Sequence, residues 1–202
     1  MLDARARWQS GDQALRSVGV ALASSAGMSE FDQAPVSATC EATPSLSALD
    51  LLALAGRSAA RVACEQSSAV ETAARLFEGA AANQATVWIA GDAAYEHARR
   101  LEAAGHRAVA LVDPTRLPAS VRAGDVLFVV AVSELPIGLL PLARQHDMDT
   151  IVLGGAQRQQ LEADAVMFVD CRDERAAELT HSYIVTALCA QYLEIDRAES
   201  AA

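Results

Sequence analysis

Beyond Asn83 the chain alternates short apolar runs with helix-sized segments. The runs are TVWIA (86–90), AVALV (108–112), VLFVVAV (126–132), TIVLG (150–154) and VMFVD (166–170). Apolarity in them is continuous rather than alternating, as a strand covered on both faces requires. Residues 91–105, 136–148 and 156–164 carry the spacing of helices, and a final helix is expected from about Glu174 to Arg197. The stretch VDPTRLPAS (112–120) is a short, proline-punctuated connection. Strands alternating with helical segments predict a parallel sheet with right-handed crossovers, a three-layer α/β/α sandwich.

The first part of the chain has a different texture. Ser45 or Ser47 is placed to cap a long helical region reaching about residue 82, and Gly56 is expected to break it into two helices. Residues 1–27 fit one helix, with Asp12 as candidate N-cap and Leu15, Val18, Val20 and Leu22 as apolar positions. Residues 28–45 hold Pro35, Pro44 and many small polar residues, the composition of a linker. The expected organisation is an N-terminal helix and linker over 1–45, then an α/β domain over 46–202.

Composition sharpens this picture. Hydrophobic residues make up 52% of the 202 but aromatics only 4%, so the core is built from Ala, Leu and Val. Net charge is −10 and all 16 basic residues are Arg. The absence of lysine excludes a Schiff-base lysine, a Walker-type phosphate lysine and a lysine general base. The acidic balance argues against a nucleic-acid partner, which requires a basic stripe to displace counterions. Cys40, Cys64, Cys171 and Cys189 show no CxxC spacing, so a zinc site is not expected. Nothing points to a cofactor. No apolar run approaches the ~18 residues of a membrane span. VGVALASSAG (18–27), after Arg5, Arg7 and Arg16, is too short and Ala/Ser-rich for a signal peptide, so a cytoplasmic location is expected.

In such a sheet ligands bind beyond the carboxyl ends of the strands, at a topological switch point. Two strand ends run directly into helix starts, IAGDAAYEH (89–97) and VAVSELPIG (130–138). Helix N-termini offer free N–H groups to an anion.

From about residue 60 to 196 the order of elements resembles the SIS (sugar isomerase) domain family, most nearly its phosphoheptose isomerase branch. AARLFEGAAAN before TVWIAGDAA, GDVLFVVAVS before LLPLARQHDMDTIVLGG, and the closing ELTHSYIVTALCAQYLE carry the resemblance. It implies a five-stranded parallel sheet of flavodoxin-like topology, a homodimer or homotetramer, and a sugar phosphate as ligand. It places the ligand against Gly91, Asp92, Ala93 and Ala94 after the first strand, and against Ser133 and Glu134 after the third. Where the branch has a Gly-Asn-Gly-Gly-Ser-type loop, this chain has Gly91-Asp92-Ala93-Ala94-Tyr95. Of a Ser/Thr-rich phosphate loop, Ser133 remains beside Glu134. The branch shuttles a proton between adjacent carbons with a Glu near the first loop and a His on the last helix. Glu96 and His181 are the candidates for base and acid.

Each of these residues also has a plainer reading. Asp92 and Ser133 suit N-caps, the latter with Pro136 in a first helical turn. His181 and His97 share apolar faces with their helical neighbours, His181 with Ile184, Val185 and Leu188, His97 with Ala94, Ala98 and Leu101. His106 and His146 stand at helix–strand junctions. Three functions therefore stand side by side. The first is a phosphosugar-binding protein with aldose–ketose isomerase activity. The second is a non-catalytic regulatory or scaffolding descendant. In the third, Asp92 and Glu134 face an uncharged or cationic compound, or a divalent metal carrying the phosphate. Arg116, or an arginine of a neighbouring subunit, is the candidate counter-charge.

Overall fold

In a computed structural model the chain is described over residues 46–132, 135–155, 161–171 and 173–200, with side chains to Cys189 in the last helix. The helix and linker expected over 1–45, and the loop residues Ser133 and Glu134, lie outside the described residues.

Helix α1 (Ala48–Glu65) starts on a capping box: Asp50 donates its N–H to Ser47 Oγ at 3.2 Å, and Ser47 donates its N–H to Asp50 Oδ2 at 3.3 Å. The helix runs unbroken through Gly56. It ends instead at Gln66, one residue before α2 (Ser67–Ala82). A helical glycine costs only ~1 kcal/mol relative to alanine, which the burial of Ala55, Ala59, Val62 and Ala63 offsets. Gln66 leaves the helix because its side chain is recruited elsewhere. Its Nε2 donates to the Phe168 carbonyl at 2.7 Å and its Oε1 accepts from the Phe168 N–H at 2.8 Å.

Five strands follow: β1 (Thr86–Gly91), β2 (Arg107–Ala110), β3 (Val126–Ala131), β4 (Asp149–Gly155) and β5 (Ala165–Val169). All pairs are parallel, in the order β2-β1-β3-β4-β5. This is the flavodoxin-like order, with its switch point between β1 and β3. The register sets Ile89 beside Phe128, and Phe128 beside Ile151. Every position of β3 is buried, as its unbroken apolar run anticipates.

The remaining helices are α3 (Ala94–Ala103), α4 (Leu139–Gln145) and α5 (Glu174–Ser200). Right-handed crossovers send α3 and α4 to opposite faces. One face is thick: α1, α2, α3 and α5 bury Phe77, Leu101 and Leu188 with Ile89, Phe128 and Leu153. Phe77 meets Phe128 edge-on at 5.4 Å between centroids. On the other face, among the described residues, Trp88, Leu127, Val129 and Val152 are covered by α4 and side chains such as Leu111, Leu117, Val121 and Leu161. Most of the helix expected over 156–164 lies outside the described residues; its end, 161–163, is irregular. Buried Asp125 ties this layer to the sheet, accepting from Thr86 N–H (2.8 Å), Trp88 Nε1–H (2.9 Å) and Arg122 N–H (3.0 Å). Among the described residues no helix is long and apolar enough to cross a membrane.

Candidate functional site

The carboxyl ends of β1 and β3 lie side by side, with Gly91 in register with Val130. Gly91 has φ +104°, and a Cβ there would sit 2.0 Å from the Val130 carbonyl oxygen, so only glycine fits. Gly155, at the tip of β4, is equally constrained, since its Cβ would fall 2.4 Å from the Val132 carbonyl oxygen. Both tips therefore let neighbouring backbone approach closely.

Asp92 does not cap the helix that follows it. Its N–H donates to the Val130 carbonyl at 2.7 Å, and its carboxylate accepts the Val132 N–H at 2.8 Å. The residue stitches the end of β1 to the end of β3. The N-cap position of α3 falls to Ala93, held in the left-handed region at φ +50°, with no side-chain cap. For a residue with a Cβ that conformation costs about 1–2 kcal/mol. Ala94, Tyr95 and Glu96 thus begin α3 with no described side chain capping their N–H groups, and the helix carries its positive end at the switch point. Tyr95 is 70% exposed beside them. After β3, α4 begins at Leu139 with Gly138 as N-cap, so Pro136 precedes the helix instead of sitting in its first turn.

Two histidines lie beneath this edge. His97, in the first turn of α3, is 2% exposed, and His181, on α5, is 1% exposed. Burial, then the Arg100 charge, pulls His97 down to about 4 against a smaller opposing pull from Glu96. Burial, then the neighbouring His97, pulls His181 to about 4, opposed by Asp92 and by a hydrogen bond to the Gly154 backbone. Both imidazoles are thus neutral at neutral pH. His97 Nδ1 and His181 Nε2 are buried without a hydrogen-bond partner among the described residues. Arg100, one turn after His97, donates from Nη1 to the Ser182 carbonyl at 3.4 Å, which sets the two histidine turns against each other.

The fold therefore brings Gly91, Asp92, Ala93 and Ala94 to one strand end, with His181 below. Glu96 shares the first turn of α3 but its side chain is exposed, while His181 is buried. His97 is the residue whose place beside His181 the sequence did not disclose. Its apolar helical face marked it as buried, but the facing histidine lies more than eighty residues away. His106 is buried against Phe77, with ring centroids 5.8 Å apart, and His146 is the exposed C-cap of α4. Arg116 is 85% exposed and pairs with Asp113 at 3.9 Å; no ion pair to Asp92 is found among the described residues. Nor do three His, Cys, Asp or Glu side chains among them gather closely enough to hold a metal ion.

No protein-family model matches this chain, and no curated protein does. Solved structures do. Phosphoheptose isomerase GmhA from Neisseria gonorrhoeae is similar with a TM-score of 0.59 at 20% identity, over 68% of this chain and 92% of that one. A phosphoheptose isomerase from Francisella tularensis is similar with a TM-score of 0.55 at 19% identity, over 73% of this chain and 98% of that one. The Vibrio vulnificus NanR protein, complexed with ManNAc-6P, is similar with a TM-score of 0.52 at 16% identity, over 72% and 62%. At such identities the likeness is one of fold: with the strand order, it shows that this chain has the fold of the sugar isomerase (SIS) domain.

Proposed function

We propose that the chain binds a phosphorylated sugar at the carboxyl ends of β1 and β3, with the phosphate against the first turn of α3. The observation that carries this reading is the uncapped start of α3 at the switch point. There a left-handed Ala93 leaves the N–H groups of Ala94, Tyr95 and Glu96 unclaimed by any described side chain. The likeness to NanR, whose structure holds ManNAc-6P, supports a sugar phosphate as the ligand class. Gly91, Asp92, Ala93, Ala94, Ser133 and Glu134 form the proposed contacts, in a homodimer or homotetramer. Thermal shift with pentose, hexose and heptose phosphates at millimolar concentration tests it. Saturation to about ten times Kd raises stability by ~1.4 kcal/mol, a few degrees in Tm. No shift with any of them overturns the reading.

Catalysis is the finer claim. Isomerisation requires a base and an acid straddling adjacent carbons, with Glu96 and His181 in those roles. A specific observation favours the second reading, a non-catalytic binder. Glu96 is exposed while His181 is buried and held neutral down to about pH 4, which makes it a poor proton donor at neutral pH. Aldose–ketose interconversion that disappears in both Glu96→Gln and His181→Asn would restore the enzyme.

A further inference from the structure

Helix α1 buries Ala55, Ala59, Val62 and Ala63 toward the body of the domain, where it packs on α5. A neighbouring face of the same helix carries a second apolar stripe. Leu49, Ala53, Gly56 and Ala60 fall at i, i+4, i+7 and i+11, one line down a helix. Leu49 is 72% exposed and Ala60 is exposed, with Ala53 and Gly56 half-buried between them. Two exposed charges, Asp50 and Arg57, border the stripe on one side. They stand two turns apart, ~10 Å along the axis, too far to pair with each other. Among the described residues Arg57 makes no ion pair, whereas Arg61 is held by Glu65 at 3.9 Å.

We infer that two copies of the chain pair through this stripe, their α1 helices antiparallel about a two-fold axis crossing between Ala53 and Gly56. A two-fold contact is self-complementary, so each feature must find its match on the same patch. Here shape and charge both do. With that axis Leu49 lies level with the partner's Ala60, and Ala53 with the partner's Gly56. The one large side chain meets a small one, and the small residues at the centre let the helix axes approach to about 8 Å, the close end of helix packing. The same axis sets Asp50 within side-chain reach of the partner's Arg57, and Arg57 within reach of the partner's Asp50. A parallel pair would instead set like charges level with each other, which opposes it. The contact is short, about three helical turns, so the dimer dissociates on dilution. It requires no bound sugar phosphate, and its failure would leave the ligand reading standing.

Sedimentation equilibrium of the full chain at low salt, across the micromolar range, tests the pairing. The wild type should self-associate reversibly, and Leu49→Arg should weaken association roughly tenfold or more. Asp50→Arg and Arg57→Asp should each weaken it several-fold, because each turns two attractive pairs repulsive. Arg57→Asp leaves the capping box of α1 intact, so its effect is not a loss of the helix start. An equimolar mixture of those two variants should restore association, since a heterodimer of one with the other has opposite charges at both contacts. Mixing cannot rescue a contact made within one chain. A wild type that stays monomeric at every concentration, association indifferent to Leu49→Arg, or a mixture no stronger than either variant alone would overturn the assignment.

Discussion

At the scale of single residues, the ligand edge is defined by two constraints of opposite origin. Gly91 is fixed by space, because any side chain meets the Val130 carbonyl. Gly91→Ala is expected to cost about 3 kcal/mol or more, through a backbone clash added to an unfavourable φ; urea denaturation with a loss under 1 kcal/mol would contradict this. The histidines are fixed by burial. In the unfolded chain they titrate near 6.5, whereas in the fold both lie near 4. The unfolded state thus binds protons first as pH falls. Stability is full above about 6.5 and drains between there and about 4, by roughly 1–3 kcal/mol per histidine. Replacing both (His97→Leu with His181→Leu) should flatten that slope between pH 7 and 4.5, and an unchanged slope would refute the attribution. Gly91 was named only as a ligand contact implied by the family resemblance; that it must be glycine was not legible, because the carbonyl that excludes a side chain, that of Val130, lies on another strand. Nor was the clasp of Asp92 on the Val132 N–H. Its partner lies forty positions away, so local chemistry suggested a helix cap instead.

At the scale of elements, the five strands were legible because they are buried on both faces and so write continuous apolar runs. Their observed limits differ from the expected ones by at most two residues. Helix limits were harder to read where a side chain's long-range partner decides them. Gly56 looked like the weak point of the first helical region, but the break falls at Gln66, whose amide grips the backbone of β5. β5 is an edge strand, and this grip occupies hydrogen-bonding groups that would otherwise face an approaching chain. Gln66→Ala should therefore cost about 1–3 kcal/mol and accelerate exchange of the Phe168 amide. Full protection of that amide in the variant would show that the grip contributes nothing. Helix α4 came out shorter than its segment suggested, since Pro136 precedes it and Gly138 begins it.

At the scale of the whole molecule, the three-layer sandwich followed from the alternation of elements. The strand order came from resemblance to a family, because apolar runs do not say which strand pairs with which. Among the described residues, the asymmetry between a face under α1, α2, α3 and α5 and one under α4 was not legible. It depends on how much of each connection is helical. The site proposed on this sheet contains an internal conflict, a carboxylate where a phosphate is expected to bind. That conflict gives the central claim its sharpest test. Asp92→Asn keeps an oxygen to accept the Val132 N–H and removes only the charge. A unit charge at ~5 Å from a phosphate in a partly solvated site opposes binding by about 1 kcal/mol or more. Calorimetric titration of a hexose or heptose phosphate at low salt should therefore show binding to the wild type and roughly five- to tenfold tighter binding to Asp92→Asn. Equal affinity for both proteins would place the ligand away from this strand end, and no binding to either would contradict the proposed function itself.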